Sequence, residues 1–324
     1  MKLSRAFLLL IVVTTMGSVS VLASTVADAR VTYKVVDEKR VPGAGEAIRG
    51  GGWIPDGSAS SEFRTLSDTN GLATVELRTA YDIGCTVTKT GYYDSEFYYA
   101  FGSEKMIRAG RWPQSGFTNQ VVLKHIRNPI PMYIKSEDVR LPVEGTPIGY
   151  DLMKGDWVSP HGKGIVSDLV ICVTGSFSKV AAQFGGERLV YDLFMRVTFS
   201  NSGDGIQTNS VPMHNENYLG SRLVTDHEAP FEGYHDEYTY RRRLSLKPSE
   251  NINASVRDTQ IAYFRIRTRS DAKGKIESAM YGFMLRDFNA LYKLDGSIRV
   301  SFMYYLNPDG TRNVECAEGV NLLR

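Results

Sequence analysis

The residues best suited to chemistry begin with a carboxylate-rich segment in the second half of this 324-residue sequence. Asp151, Asp156, Trp157 and His161 fall in one short stretch broken by glycines. Two carboxylates and an imidazole suit general acid–base work, and an indole suits stacking on a sugar ring. No Gly-x-Ser-x-Gly elbow or His-Glu-x-x-His zinc motif accompanies them. The alternative is a turn whose aspartates accept backbone hydrogen bonds and whose tryptophan belongs to the core.

A second polar segment contains three of the five histidines. Imidazoles and carboxylates are metal ligands, but their spacing here matches no standard motif, and long polar loops gather such residues anyway. We therefore predict no bound metal and no other cofactor. The residual metal candidates are His214, His227 and His235, with acidic neighbours at Glu216, Glu228, Asp236 and Glu237.

A third segment is basic. Alternation over Gln260–Arg269 predicts that Ala262, Phe264 and Ile266 point inward, and that Tyr263, Arg265, Arg267 and Arg269 point outward, with Arg241–Arg243 nearby. Such a row suits an anionic glycan, because the guanidinium fork matches carboxylate and sulfate. The alternative is a solvated sheet face paired with acidic residues. A fourth segment, Ser200–Gly205, suits either a plain hairpin turn or a calcium loop, and a turn needs no ion.

The composition indicates which secondary-structure elements position these residues. The chain is 42% hydrophobic, 23% charged and 11% aromatic, with 18 Tyr and 30 Gly. Aromatic residues suit strands and Gly suits tight turns, while extended apolar spacing of helical period is scarce. These features predict an all-β protein. A net charge of +2 is close to balance, which argues against a nucleic-acid-binding protein.

The N-terminus predicts export. Lys2 and Arg5 precede an uncharged apolar run and then small residues, which is the layout of a secretory signal peptide over residues 1–29. Cleavage is expected after Ala23 or after Ala29. The alternative, an uncleaved anchor, needs about 20 mostly apolar residues, and this run is too polar. We expect a secreted or periplasmic protein with no membrane span after cleavage.

Three cysteines, Cys85, Cys172 and Cys316, lie in the exported part. That number is too small for a disulfide scaffold. A bridge between Cys172 and Cys316 is one interpretation, and three buried thiols acting as small hydrophobic residues are the other. No Cys-x-x-Cys pair is present, so a structural zinc site of the usual spacing is not expected.

Residues 30–126 predict a small β-sandwich. Val31, Tyr33 and Val35 alternate with polar residues, and Asn70-Gly71 is a strong hairpin signal. Asp68 is expected to cap this turn rather than to bind calcium. The aromatic run Ser95–Phe101 predicts one core-facing row and one outward row, which is either a sheet edge or a stacking platform.

This region resembles the carboxypeptidase regulatory-like domain, a transthyretin-like (prealbumin-like) β-sandwich. The resemblance rests on Val41–Ala44, on Ser67–Leu77 with its Asp-x-x-Gly turn, and on Val87–Tyr93 with its Lys-x-Gly-Tyr ending. Gly50–Pro55 departs from the pattern and leaves the second strand unassigned. Such modules are accessory, so the resemblance implies no catalytic residues.

Residues 127–324 predict a larger β-sandwich of jelly-roll type, which follows the stiff connector Asn128–Pro131. The expected strands are Met132–Lys135, Gly164–Val173, Arg188–Phe199, Tyr238–Leu246, Gln260–Thr268, Ile276–Leu285 and Ser297–Leu306. Gly149–Gly164 and Tyr304–Pro308 resemble an uncharacterised family of secreted bacterial proteins, which implies no activity.

Two functional hypotheses follow. The first is an exported, non-catalytic binding or structural protein that recognises a polysaccharide or a cell-envelope protein, in an oligomeric state left open. The second is a secreted hydrolase of glycans or peptides that uses Asp151, Asp156 and His161, or the histidine-rich segment, as its site.

Overall fold

The computed structural model describes residues 26–54, 61–102, 104–112, 116–182, 185–210, 220–254, 260–285 and 288–323. Strands dominate these residues, and their helices are single 3-10 turns at Glu104–Met106 and Pro248–Glu250. Within these ranges no helix has the length and hydropathy needed to cross a membrane. The prediction of an all-β protein is confirmed.

The first half of the chain forms a small sandwich of two sheets. Its strands are β1 (Ala27–Asp37), β2 (Ala47–Gly52), β3 (Ser61–Leu66), β4 (Leu72–Thr79), β5 (Asp82–Thr88), β6 (Tyr92–Tyr93), β7 (Ser95–Ala100) and β8 (Phe117–His125). One sheet has the order β4-β1-β8-β6, and the other has the order β15-β7-β5-β2-β3, where β15 (Gly220–Ser221) comes from the later chain. Neighbouring strands are antiparallel except for the parallel pair β1 and β8.

Alternating side chains fill the space between these two sheets. Val31, Tyr33 and Val35 are fully buried, as their spacing predicts. The turn before β4 also forms as predicted: Asp68 Oδ1 accepts hydrogen bonds from the backbone N–H groups of Asn70 and Leu72, at 2.9 and 2.8 Å.

The glycine-rich segment belongs to a strand. Gly50–Gly52 complete β2, which lies between β3 and β5 inside the five-stranded sheet. A Cβ on Gly50 would lie 2.1 Å from the carbonyl oxygen of Gly84, and a Cβ on Gly52 would lie 2.6 Å from Cβ of Thr79. Glycine is required at these two positions because backbone and side chains approach so closely.

The second half of the chain forms a larger sandwich. Its strands are β9 (Ile130–Arg140), β10 (Ile148–Asp151), β11 (Asp156–Trp157), β12 (Leu169–Ala181), β13 (Glu187–Phe199), β14 (Gly205–Ser210), β16 (Glu237–Leu244), β17 (Ile252–Ala254), β18 (Gln260–Ser270), β19 (Ile276–Met284), β20 (Asn289–Tyr292), β21 (Ile298–Leu306) and β22 (Cys316–Asn321). One sheet has the order β11-β10-β12-β13-β16-β17. The other has the order β14-β18-β19-β21-β9-β22, and β20 pairs with β21.

The main core lies between these sheets, where Leu193, Met195 and Val197 of β13 face Phe264 of β18. The seven-stranded sheet also carries a core on its far face. There Tyr263 and Tyr281 pack with Ala229 and Val314 from the connecting segments. Both faces of this sheet are therefore covered, which alternation along one strand does not reveal.

Polar contacts join the two sandwiches. Glu315 is 1% exposed, and its carboxylate accepts hydrogen bonds from the Tyr93 hydroxyl at 2.9 Å and from the backbone N–H groups of Arg127 and Asn128 at 2.8 and 2.7 Å. The Lys124 ammonium donates to the carbonyl oxygen of Thr225 at 2.7 Å. The predicted connector overlaps the strand that follows it, since β9 begins at Ile130 and so includes the last two connector residues.

The interpretation that Cys172 and Cys316 form a bridge is wrong, since all three thiols are free. Cys172 lies on β12 of the six-stranded sheet, whereas Cys316 lies on β22 of the other. Cys85 is buried in the small sandwich, and burial raises the pKa of its thiol to about 12.

Candidate functional site

The first sequence candidate, Asp151, is a structural carboxylate. It is 2% exposed and sits at the end of β10. Its Oδ1 accepts from the backbone N–H groups of Met153 and Lys154, and its Oδ2 accepts from those of Ile165 and Val166, at 3.0–3.1 Å. These bonds tie down the loop before β12, which is why that strand begins at Leu169 and not at the predicted Gly164.

Arg267 points into the same cluster. Its Nε and Nη2 donate to the two carboxylate oxygens of Asp168 at 2.8 and 2.9 Å, and its Nη2 also donates to Asp151 at 3.1 Å. The predicted outward direction of Arg267 is wrong because a bulge interrupts the alternation: the register shifts between Ile266 and Arg269, and Arg267 has a φ of +54°.

Asp204, from the predicted turn segment, holds this bulge. Its carboxylate accepts hydrogen bonds from the backbone N–H groups of Arg267 and Thr268 at 3.0 and 2.8 Å. Burial raises the pKa of Asp204, and these bonds oppose the rise. Both carboxylate oxygens of Asp204 therefore take part in holding the fold.

The rest of the first candidate segment is also used in structure. Asp156 accepts from the backbone N–H groups of Trp157 and Lys163, both at 2.8 Å. Trp157 is 5% exposed and packs edge-on against Tyr150, with ring centroids 5.3 Å apart. His161 is exposed. The tryptophan is thus a core residue, and the carboxylate pair expected for a hydrolase is bound to backbone.

The basic stripe does not form an outward row. Tyr263 and Arg265 are only 2% and 9% exposed, because the connecting segments cover this face of the sheet. Arg265 donates to the carbonyl oxygen of Gly203 at 2.7 Å and lies over the Tyr234 ring at 4.6 Å. Arg241, expected nearby, is on β16 in the other sheet and pairs with Asp192.

The two histidine candidates that the structure describes, His227 and His235, lie in different surroundings. His214 lies outside the described residues, and His235 is exposed and backbone-paired with Ile206. His227 is buried between the sandwiches, where its Nε2 contacts the carbonyl oxygen of His125 at 2.7 Å and its Nδ1 lies 3.3 Å from Glu38. In the described ranges no group of three or more metal-ligating side chains is found.

A different region, on the outer face of the small sandwich, has the features of a binding site. Ile48 of β2 points into the core, so Arg49, Gly51 and Trp53 follow on the outer face. Trp53 is 53% exposed, which is unusual for the largest apolar side chain.

The neighbouring strands extend this face on both sides. Phe63 of β3 packs into the core, so Glu62 and Arg64 point outward. Gly51 pairs with Glu62 on one side and Gly84 on the other, and Arg49 pairs with Arg64. Two glycines therefore lie side by side on the outer face, where side chains would otherwise stand.

A shallow groove of about 510 Å³ lies on this face and includes Gly51. Its lining residues are Arg49, Gly50, Gly51, Gly52, Trp53, Glu62, Phe63, Arg64 and Thr86. Bare backbone forms the floor at the glycines, which allows a ligand to approach the sheet closely. The lining combines arginine, carboxylate and hydroxyl groups with an apolar ring, which suits binding of a polar chain with flat apolar faces.

Trp53 is held in place through its backbone. Its N–H donates to Asp82 Oδ1 at 3.2 Å, and its carbonyl oxygen accepts from the Ala80 N–H at 2.9 Å. Tyr98 donates to the other Asp82 oxygen at 2.8 Å, and burial together with this bond raises the pKa of Tyr98 to about 12. The exposed indole thus extends from a fixed backbone.

The sequence analysis did not predict a binding site at this groove. Gly50–Pro55 stood out only as a departure from a family pattern, although alternation from Ile48 already places Arg49, Gly51 and Trp53 on one face. The predicted division of the aromatic run agrees with the structure: Phe97 and Phe101 are buried, and Tyr98 is on the outer face.

No family model and no curated protein matches the chain. Among solved structures, the chain is similar to a point mutant of the shaft pilin spaA from Lactobacillus rhamnosus GG. The similarity covers 56% of this chain and 90% of the pilin, at 9% sequence identity and a TM-score of 0.21. A superposition this poor carries no argument about fold or function. The resemblance of residues 30–126 to carboxypeptidase regulatory-like domains therefore stays a prediction.

Proposed function

We propose that this protein is an exported, non-catalytic binding protein that holds a carbohydrate chain in the outer groove of the small sandwich. One observation carries the proposal: an exposed, backbone-fixed tryptophan stands beside a glycine floor in a groove of about 510 Å³.

Trp53 supplies the apolar part of the recognition. An indole presents a large rigid face and an N–H tip, and few rotamers are lost when it is covered. Pyranose rings have C–H faces that stack on such a surface. Because hydrogen bonds fix the backbone on both sides of Trp53, little ordering cost remains at binding.

The glycine floor supplies the shape. A polysaccharide is a long, flat chain, and a row without side chains lets it lie against the sheet. Thr86, Glu62 and the two arginines then face its hydroxyl groups as donors and acceptors. This arrangement favours a glycan over a globular protein partner, which would need a larger interface.

Export is proposed on the N-terminal sequence, with cleavage after Ala23. Ala27 and Ala29 are buried in β1 and pair with Thr79 and Leu77. Cleavage after Ala29 would remove them from the sheet. N-terminal sequencing of the exported protein tests this site directly.

The groove is tested by affinity electrophoresis and calorimetry on dextran, xylan, chitin oligosaccharides and polygalacturonate. Trp53→Ala is expected to weaken binding of the best ligand at least about 10-fold, because an aromatic anchor is worth more than about 1.4 kcal/mol. Thr86→Tyr, which fills the groove without removing Trp53 or either arginine, should weaken binding to a similar extent.

Phe231→Ala is the matched control, since Phe231 is 64% exposed but belongs to the other half of the molecule. Its binding should equal that of the wild type. Binding that is absent for all four glycans, or equal in the wild type and Trp53→Ala, would contradict the proposed function.

A further inference from the structure

Two arginines in the groove stand directly opposite each other. Arg49 of β2 and Arg64 of β3 form one antiparallel cross-strand pair, and both side chains are exposed on the outer face. Directly opposed residues have Cβ atoms about 5 Å apart. Two positive charges are therefore held side by side by the register of the sheet.

No described residue neutralises these two charges by an ion pair. Within the described part of the chain, neither Arg49 nor Arg64 takes part in any ion pair. The groove lining contains two arginines and one glutamate, Glu62, so its net charge is +1. Like charges placed directly opposite each other destabilise a sheet, so this pair is unfavourable without an anion.

Some arginines elsewhere in the described ranges are paired, whereas Arg40, Arg111 and Arg269 are exposed and take part in no ion pair with a described residue. Arg299 lies 2.9 Å from Asp138, and Arg241 lies 2.8 Å from Asp192. The groove arginines differ from these paired arginines, because the residue opposite each of them across the two strands is the other arginine and not an acidic residue. A carboxylate or sulfate from outside would fit between two guanidinium forks, each of which offers paired N–H donors.

We propose that Arg49 and Arg64 together bind an anionic substituent, a carboxylate or a sulfate, of the glycan in the groove. This inference rests on the proposed function and adds the ligand class, an acidic polysaccharide. Arg49 and Trp53 are four residues apart along extended chain, about 13 Å, so one ligand must be longer than a monosaccharide to reach both.

The test uses two matched ligand pairs at low salt: polygalacturonate against its methyl ester, and dextran sulfate against dextran. The first pair varies a carboxylate, and the second varies a sulfate. Wild-type protein is expected to prefer at least one charged member about 10-fold or more, and added salt should reduce this preference.

Arg64→Gln is expected to abolish the preference while the neutral member still binds through Trp53. Without ligand, the melting temperature of this variant should equal or slightly exceed that of the wild type, because a repulsion is removed. Arg241→Gln, which removes a paired arginine from the other half of the molecule, is the control and should keep the preference.

The outcomes separate the two proposals. Binding that depends on Trp53 but shows no preference for charged ligands, or a preference that survives in Arg64→Gln, overturns the anion site and leaves the glycan groove standing. A lower melting temperature for Arg64→Gln also overturns it, because Arg64 would then have a partner in the fold. Absence of any Trp53-dependent binding removes the groove itself.

Discussion

Arg267 differs from Arg49 and Arg64 in what its guanidinium group contacts. Arg267 lies at one end of the larger sandwich with its guanidinium on Asp151 and Asp168, which are nearly inaccessible. Arg49 and Arg64 lie on the outer face of the small sandwich with no acidic partner in the described ranges. The first arrangement satisfies its own charges and holds loops together. The second leaves charge directed at solvent, where a ligand can use it.

The comparison explains why residue type alone misleads. Asp151 and Arg267 have the residue types expected of a site, yet their side chains form hydrogen bonds within the fold: Asp151 accepts from backbone N–H groups, and Arg267 donates to Asp168. The glycines of β2 have no chemistry, yet they create the space in which Trp53 and two arginines become available. The candidate site is therefore identified by exposed side chains that line a groove, and not by residue types that are chemically reactive.

The largest expected effect comes from Arg267→Met. It leaves two buried carboxylates without their cation, so we expect the free energy of unfolding to fall by about 3–5 kcal/mol. Urea denaturation at pH 7 measures the loss. Arg64→Met is the matched control and should stay within about 0.5 kcal/mol of the wild type, as surface substitutions do. Equal losses in the two variants would abolish the distinction.

The second prediction concerns pH. Burial acts to raise the pKa of Asp151, but backbone N–H groups and the Arg267 guanidinium outweigh it and hold that pKa below its usual range. Because the folded value is the lower one, Asp151 stabilises the fold above the ordinary carboxyl pKa of about 4, and the stabilisation is lost on acidification. Asp151→Asn should cost about 1.5–3 kcal/mol at pH 7 and flatten the acid limb of the stability curve.

Asp168 is the control, because its pKa is shifted in the opposite direction to that of Asp151. Burial raises its pKa, although Arg267 opposes the rise, so the folded state takes up this proton first and gains stability as the pH falls. Asp168→Asn should therefore steepen the acid limb that Asp151→Asn flattens. Urea unfolding from pH 7 to pH 3 compares them, and parallel acid limbs would contradict the assignment.

The third prediction compares two glycines in the sheet under the groove. Gly50→Ala places a Cβ against the Gly84 carbonyl oxygen and should cost about 1–3 kcal/mol. Gly84→Ala meets nothing closer than 3.6 Å, so it should be neutral or stabilising by about 0.5 kcal/mol. Thermal melting decides, and a neutral Gly50→Ala would mean that the two strands are less close than described.

The smallest effect is expected at an exposed but paired site. Hydrogen bonds from Arg241 and Arg243 lower the pKa of Asp192 to about 2. Solvent screens this pair, so Asp192→Asn should cost no more than about 1 kcal/mol. A carboxyl NMR titration is expected to give a midpoint near the lowered value; a midpoint near 3.8, the ordinary value, would show that the pairs do not persist in solution.

Much of the secondary structure follows from local pattern. The alternation in Arg188–Phe199 predicts β13 to within one residue, and Asp68 with Gly71 predicts the turn before β4. These predictions hold because a two-sheet core selects alternate side chains and because turn residues act on their own backbone. The outward direction predicted for Tyr263 is wrong, because this side chain packs in a second core built from segments distant in sequence.

The sequence by itself determined that strands of alternating side chains would pair into sheets, because that preference is encoded in neighbouring residues. Only the tertiary structure decided which charges of the described residues are paired. Whether Arg267 meets Asp168 or Arg49 meets Arg64 depends on a bulge in one sheet and on register in the other. Both are set by long-range packing, which residue type and spacing do not encode.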